Sequence, residues 1–156
     1  MVRPTLMVRG VVPPGKRKVN QKLVRLMRSA LSFHSRVSYR KSISKATILS
    51  YGRPFTAHQK MQIAAVASGD VVCYSLSASI HASVLIRVQI CLVVGRVTMD
   101  QCLMDVTSLF EVNVGDQVKQ SITAPDLVHQ THAIPWQILA SITYRVPRIY
   151  RAVRPF

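Results

Sequence analysis

The chain has 156 residues, 49% of them hydrophobic, which suits one domain with a buried core and is too apolar for an intrinsically disordered segment. Its formal net charge of +15 is lopsided: residues 1–69 carry 14 Lys or Arg and no acid, whereas residues 70–156 carry 7 basic and 6 acidic side chains. The longest apolar run, residues 84–97, is interrupted by Arg87, Gln89 and Arg96 and falls short of the roughly 18–20 residues that span a bilayer as a helix.

The first nine residues form a short apolar stretch with two arginines, ended by Gly10, and Val11-Val12-Pro13-Pro14-Gly15 reads as a loop. Residues 19–31 place Leu23, Leu26, Met27, Ala30 and Leu31 at helical spacing, flanked by Lys16, Arg17, Lys18, Lys22, Arg25 and Arg28. After Phe33 the pattern turns to short segments rich in β-formers. They carry Val37, Tyr39, Ile43, Ile48, Met61, Ile63 and Ala65, with turns at Ser44-Lys45, Tyr51-Gly52 and Arg53-Pro54. Residues 84–86, 90–97 and 103–106 continue the strands, and residues 112–116 read as the end of a segment in a turn. A weak capping box at Thr123 to Asp126 and a first-turn proline at Pro135 predict two short helices, the second running to about Thr143. The fold expected is mainly β, with short helices near the C-terminus.

Charge alone allows several partners. The acid-free first third could contact nucleic acid or an anionic surface, or act as an Arg- and Ser-rich leader, although strand and turn patterns run through it. A solvated face is the commoner use of such a charge run. Cys73, Cys91 and Cys102 are odd in number and form no CxxC pair, which predicts reduced thiols and a cytoplasmic location. His129 and His132 are spaced HxxH but lack a Cys or acid cluster, so surface histidines are the better reading than a metal site. No GxxxxGK[ST] or GxGxxG loop is present.

Several short motifs, in order, resemble one family. Gly95-Arg96-Val97-Thr98-Met99-Asp100-Gln101 is similar to the GR-x-x-MDQ stretch of alanine racemases. Val2-Arg3-Pro4 resembles the family's VRPG barrel strand, and Arg36-Val37 with Lys41 and Ser50-Tyr51-Gly52 resembles its RV…K…SYG run. Val114-Gly115-Asp116 resembles its VGD turn, and Ile134-Pro135-Trp136-Gln137 with residues 144–150 its closing stretch. Each motif is weak alone; the ordered set covers nearly the whole chain. The resemblance implies an N-terminal (β/α)8 barrel, most of it lacking here, and a barrel-like C-terminal β domain. Residues 1–31 would be the last barrel strand and a basic connector, and residues 32–156 the β domain. The chain would then be part of an enzyme that interconverts L- and D-alanine with pyridoxal phosphate, inactive alone. It would act in a homodimer or with a barrel-bearing racemase chain.

The same resemblance assigns residues one by one. Racemisation needs a base on each face of the α-carbon; in the family one is the cofactor's lysine, absent from this chain, and the other is a tyrosine lent by the partner subunit, matched here by Tyr51. Arg3 matches the arginine at the pyridine nitrogen, and Thr5 and Leu6 fall on phosphate-binding positions, Thr5 in place of a glycine. Trp136 stands where a phosphate-binding tyrosine is usual, and Arg148 matches the arginine that steadies it. Met99 matches the residue whose backbone amide holds the substrate carboxylate; Arg96 and Asp100 match the entryway and its surroundings. Against this, the GYADGY-x-R run has Asp70, Val72 and Leu76 at three of its positions. The hairpin turn at Arg87-Val88-Gln89 lacks its usual glycine and must either widen or strain.

Overall fold

A computed structural model describes residues 30–72, 79, 82–120 and 135–150. The described strands are β1 (Phe33–Ile43), β2 (Ile48–Leu49), β3 (Phe55–Thr56), β4 (Met61–Val66), β5 (Ser83–Ile86), β6 (Gln89–Val94), β7 (Cys102–Asp105) and β8 (Gln117–Gln120), followed by helix α1 (Pro135–Ser141). Six of them close into a barrel in the order β1-β4-β7-β6-β5-β8, with every pair antiparallel. Closure leaves no unpaired edge to template association.

Strand β1 is long because it serves two neighbours. Residues 33–36 pair with β8 and residues 37–43 with β4. Between them Val37 opposes Val66 while Tyr39 opposes Ala65, so Ser38 is an extra residue, a β-bulge that bends the strand between its two neighbours. Its hydroxyl donates to the Ala65 carbonyl at 3.1 Å.

Period-two alternation fills the barrel. Val37, Ala64, Val66, Val84, Ile86, Cys91, Val93, Cys102, Met104 and Val118 point inward, joined by Val97, Val106 and Val112 from loops. Strand β4 is buried on both faces. Its outward Met61 and Ile63 form a second cluster with Ile43, Ala57 and Val94, against which Leu49, Phe55 and Leu103 pack. Leu49 and Phe55 belong to the two-stranded β2–β3 ribbon, so this second cluster seats the ribbon on the barrel's flank.

The β5–β6 turn strains rather than widens. Ile86 pairs with Gln89, leaving a two-residue loop, and both Arg87 (φ 47°) and Val88 (φ 72°) are left-handed. This is the geometry that favours Asn-Gly. Arg87 compensates in part, its Nη2 lying 2.9 Å from Asp116 Oδ2. Arg36 and Arg40 are likewise committed, donating to the carbonyls of Gly115 (2.9 Å) and Val112 (2.8 Å).

Besides one-residue shifts in β5 and β7 and at the start of β6, further boundaries differ from the sequence reading. Strand β6 stops at Val94 because Gly95 takes φ 74°. Residues 112–116 do not end a strand; their turn leads into β8, and Gly115 N–H donates to Val37 O at 2.8 Å while Val37 N–H donates to Asp116 O at 3.0 Å. Helix α1 begins at Pro135 as expected and ends at Ser141, two residues short of Thr143. The helix expected over 19–31 lies outside the described residues except for its last two, and the one after Thr123 lies wholly outside them.

Candidate active site

Tyr51 sits at the tip of the β2–β3 ribbon, in the loop between Leu49 and Phe55. The ribbon is extended by bonds from Ala46 N–H to Ala57 O (2.7 Å) and from Ala57 N–H to Thr47 O (2.9 Å). Leu49 and Phe55 seat it on the barrel, and the tyrosine at its end projects into solvent, 74% exposed.

The neighbouring wall is the segment after β6. Ser50 Oγ accepts a hydrogen bond from Arg96 N–H at 2.9 Å and donates to Arg96 O at 2.9 Å. The Tyr51 loop and the segment carrying Met99 are therefore joined directly. Beyond Arg96, Thr98 and Gln101 close a tight turn. Thr98 N–H donates to Gln101 O at 2.9 Å and Gln101 N–H to Thr98 Oγ1 at 3.2 Å, which presents Met99 and Asp100 at its apex. Met99 is 68% exposed.

Residues 69–72 brace this turn from behind. Asp70 N–H donates to Thr98 O and Val71 N–H to Met99 O, each at 3.0 Å. Gly69 is required for that approach, because a Cβ there would lie 2.3 Å from Thr98 O and 2.4 Å from Met99 O. A third layer follows: Thr143 Oγ1 donates to Val71 O at 3.1 Å, and Arg145 lies 3.6 Å from Asp100. The Arg145–Asp100 pair is solvent-exposed and adds little to stability.

The resemblance brings nine residues to this site, and the structure describes six of them. Tyr51, Arg96, Met99 and Asp100 belong to the joined loops. Arg148 donates to the carbonyls of Ile142 (3.0 Å), Thr143 (3.3 Å) and Val146 (3.2 Å), closing the turn after α1. Trp136 lies in the first turn of α1, 46% exposed. Its indole N–H suits a phosphate oxygen, offering one donor and no acceptor. Arg3, Thr5 and Leu6, which would supply the rest of the cofactor contacts, lie outside the described residues.

No group of three or more metal-ligating side chains is found among the described residues, and His129 and His132 lie outside them. Cys91 and Cys102 are free and buried; burial pushes their thiols up to about 11 and about 12, the nearby Asp105 charge adding to Cys91. Neither is a poised nucleophile. The family resemblance pointed to Tyr51 and Met99 but gave no role to Ser50, Gly69 or Gly95. Ser50 and Gly95 inside the SYG and GR-x-x-MDQ motifs, and Gly69 at the start of the GYADGY-x-R run, were the available signal.

A closed antiparallel barrel that carries a tyrosine-tipped ribbon defines the class of domain. The alanine racemase C-terminal domain model matches residues 30–150. Over 157 residues the chain is 35% identical to alanine racemase 2 of Caldanaerobacter subterraneus subsp. tengcongensis, covering 96% of this chain and 39% of that protein. Over 158 residues it is 33% identical to the alanine racemase of Halothermothrix orenii, covering 97% and 41%. The alanine racemase from D-cycloserine-producing Streptomyces lavendulae superposes with a TM-score of 0.83 at 26% identity, over 95% of this chain and 40% of that one. The Bartonella henselae alanine racemase with covalently bound pyridoxal phosphate shares the fold, with a TM-score of 0.77 at 22% identity, over 80% and 36%. The chain belongs to the alanine racemase family and corresponds to its C-terminal domain, spanning about two fifths of the length of the two curated relatives.

Proposed function

We propose that this chain lends Tyr51 as the acid–base group for one face of alanine's α-carbon, at a site completed by a barrel-bearing racemase chain. The observation that carries the reading is the exposed Tyr51 on a ribbon clasped through Ser50 to the segment bearing Met99. A base serving the second face must reach the substrate from outside the barrel that holds the cofactor, and an exposed tyrosine on a seated ribbon has that freedom. Pyridoxal phosphate, when bound, supplies the electron sink for the carbanion. This chain's share is the phenolic proton carrier and, at Met99, a backbone amide for the substrate carboxylate. Arg3, Thr5, Leu6 and Trp136 would contribute to holding the cofactor, and Arg96 and Asp100 to lining the approach.

The described lysines do not offer themselves as the opposing base. Lys41, Lys45 and Lys60 are exposed on the barrel's exterior and Lys119 lies on β8, whereas a Schiff-base lysine needs a desolvated pocket.

The test is complementation. The chain is combined with a racemase barrel bearing the lysine, and D-alanine formation is followed by coupled oxidation. Tyr51→Phe keeps the ring and deletes the proton, so turnover should fall about 10²–10⁴-fold with the thermal midpoint unchanged. Undiminished turnover in Tyr51→Phe would remove Tyr51 from the chemistry.

A further inference from the structure

The loop that presents Tyr51 is an unfavourable one for an L-chain. Ser50 (φ 69°), Gly52 (φ 75°) and Arg53 (φ 55°) are all left-handed, a conformation that ordinary side chains adopt only when their surroundings impose it. Within the loop, one bond is seen, from Arg53 N–H to Ser50 O at 3.2 Å. The constraint comes from outside. The Ser50 hydroxyl uses both its donor and its acceptor on one residue, Arg96, at 2.9 Å each. One further feature makes room for that engagement. Gly95 is itself left-handed (φ 74°), and a Cβ on it would lie 2.6 Å from the Ser50 Cβ. On the other side of the loop, the Arg96 guanidinium lies 3.9 Å from where a Cβ on Gly52 would be. Ser50 and Gly95 thus form a matched pair at the Arg96 backbone.

We propose that Ser50 is the positioning residue for Tyr51, its hydroxyl clamping the tyrosine's loop to the Arg96 backbone so that Tyr51 and the Met99 amide keep a fixed separation. The inference rests on the reading of Tyr51 as the acid–base group. Seating by Leu49 and Phe55 fixes the base of the ribbon, but these side chains end where the loop begins. Among the described residues, the hydrogen bonds of Ser50 tie the tip itself to the wall that carries Met99.

Glycine and alanine at position 50 separate the clamp from the backbone strain. Both delete the hydroxyl, but Ser50→Gly also relieves the left-handed conformation, so its fold is not penalised twice. Amide order parameters from 15N relaxation of the 156-residue chain read the clamp without any partner. Tyr51 and Gly52 should be near 0.85 in the parent, as in rigid backbone, and below about 0.6 in both variants. In the complemented enzyme, Ser50→Gly should lower kcat about 10–100-fold, the scale of a misplacement near 1 Å, with KM for alanine held. A merely structural serine predicts instead that activity follows stability, recovering in Ser50→Gly. Unchanged order parameters at Tyr51 and Gly52 overturn the proposal, as does a mobile loop with unchanged kcat where Tyr51→Phe is inactive. If Tyr51→Phe is itself fully active, the base assignment fails, and the order parameters still decide whether Ser50 clamps the loop.

Discussion

Replacing Val88 by glycine should stabilise the domain, which is unusual for a truncation. Val88 has φ 72° in a two-residue turn and is 92% exposed, so its side chain contributes strain and almost no burial. A left-handed L-residue costs about 1–2 kcal/mol, with a β-branched side chain toward the upper end. Glycine returns roughly 0.5–1 kcal/mol of that through the larger entropy of its unfolded state, leaving a net gain near 1 kcal/mol. For a chain of this size that corresponds to a rise of about 2–4 °C in thermal midpoint. The neighbouring position supplies the control: Arg87→Gly also relieves a left-handed residue (φ 47°) but removes the 2.9 Å contact with Asp116, so it should gain less. Circular dichroism melts of the parent and the two variants decide the matter. A midpoint for Val88→Gly equal to or below the parent's would refute the strained-turn argument.

Other perturbations probe the barrel and the brace. Gly69→Ala should destabilise by about 1–3 kcal/mol, the usual range for overpacking, because its Cβ would meet two carbonyl oxygens at 2.3 and 2.4 Å; chemical-shift changes at Thr98 and Met99 in the folded fraction would localise the damage, and a neutral variant would show that the brace yields. In a Cys73→Ser background, Cys91 and Cys102 should resist Ellman's reagent at pH 8 until the chain is unfolded, since burial raises their thiols to about 11 and about 12. Folded values above the ordinary 9.0 mean that this contribution is complete below pH 9 and is lost as pH rises toward 11. Asp116 behaves in the opposite sense. The Asn113 N–H first, then Arg87, hold its carboxyl below the usual range, so its contribution is present above about pH 4 and fades as pH falls through the folded value; urea midpoints of Asp116→Asn should be flatter across that acid range than the parent's.

The strands were legible as short β-former segments separated by turn residues. Which face turns inward was not, since apolar Leu85, Ile90, Leu92 and Leu103 alternate with the buried Val84, Ile86, Cys91, Val93, Cys102 and Met104. Ends were less legible. Val97 is apolar again beyond Gly95-Arg96, and the glycine that stops β6 does so through its φ, which hydrophobicity does not record. The turn of residues 112–116 was visible from its glycine, but its direction was not, since the bonds that orient it run to Val37 far along the chain. The site divides in the same way. Tyr51 and Met99 lie inside short motifs that resemble the family's. The Ser50–Arg96 clamp spans 46 positions and joins a small hydroxyl to a main chain, so no spacing rule could have proposed it.

That dependence on the main chain bears on the substitutions that make this sequence depart from its family. Asp70 and Val72 replace expected side chains at the brace, yet the contacts that matter there are Asp70 N–H to Thr98 O and Val71 N–H to Met99 O. Any residue other than proline carries such a donor, so the geometry survives changes of side chain that would alter local polarity. Positions where the side chain itself is the constraint behave differently. Gly69 and Gly95 admit no Cβ without a contact under 3 Å, and Ser50 needs both halves of its hydroxyl. All three are present here, and at residues 70 and 71 the bonds to the Met99 turn are made by the backbone. Side chains at the brace can therefore change while the backbone bonds that hold the Met99 turn persist.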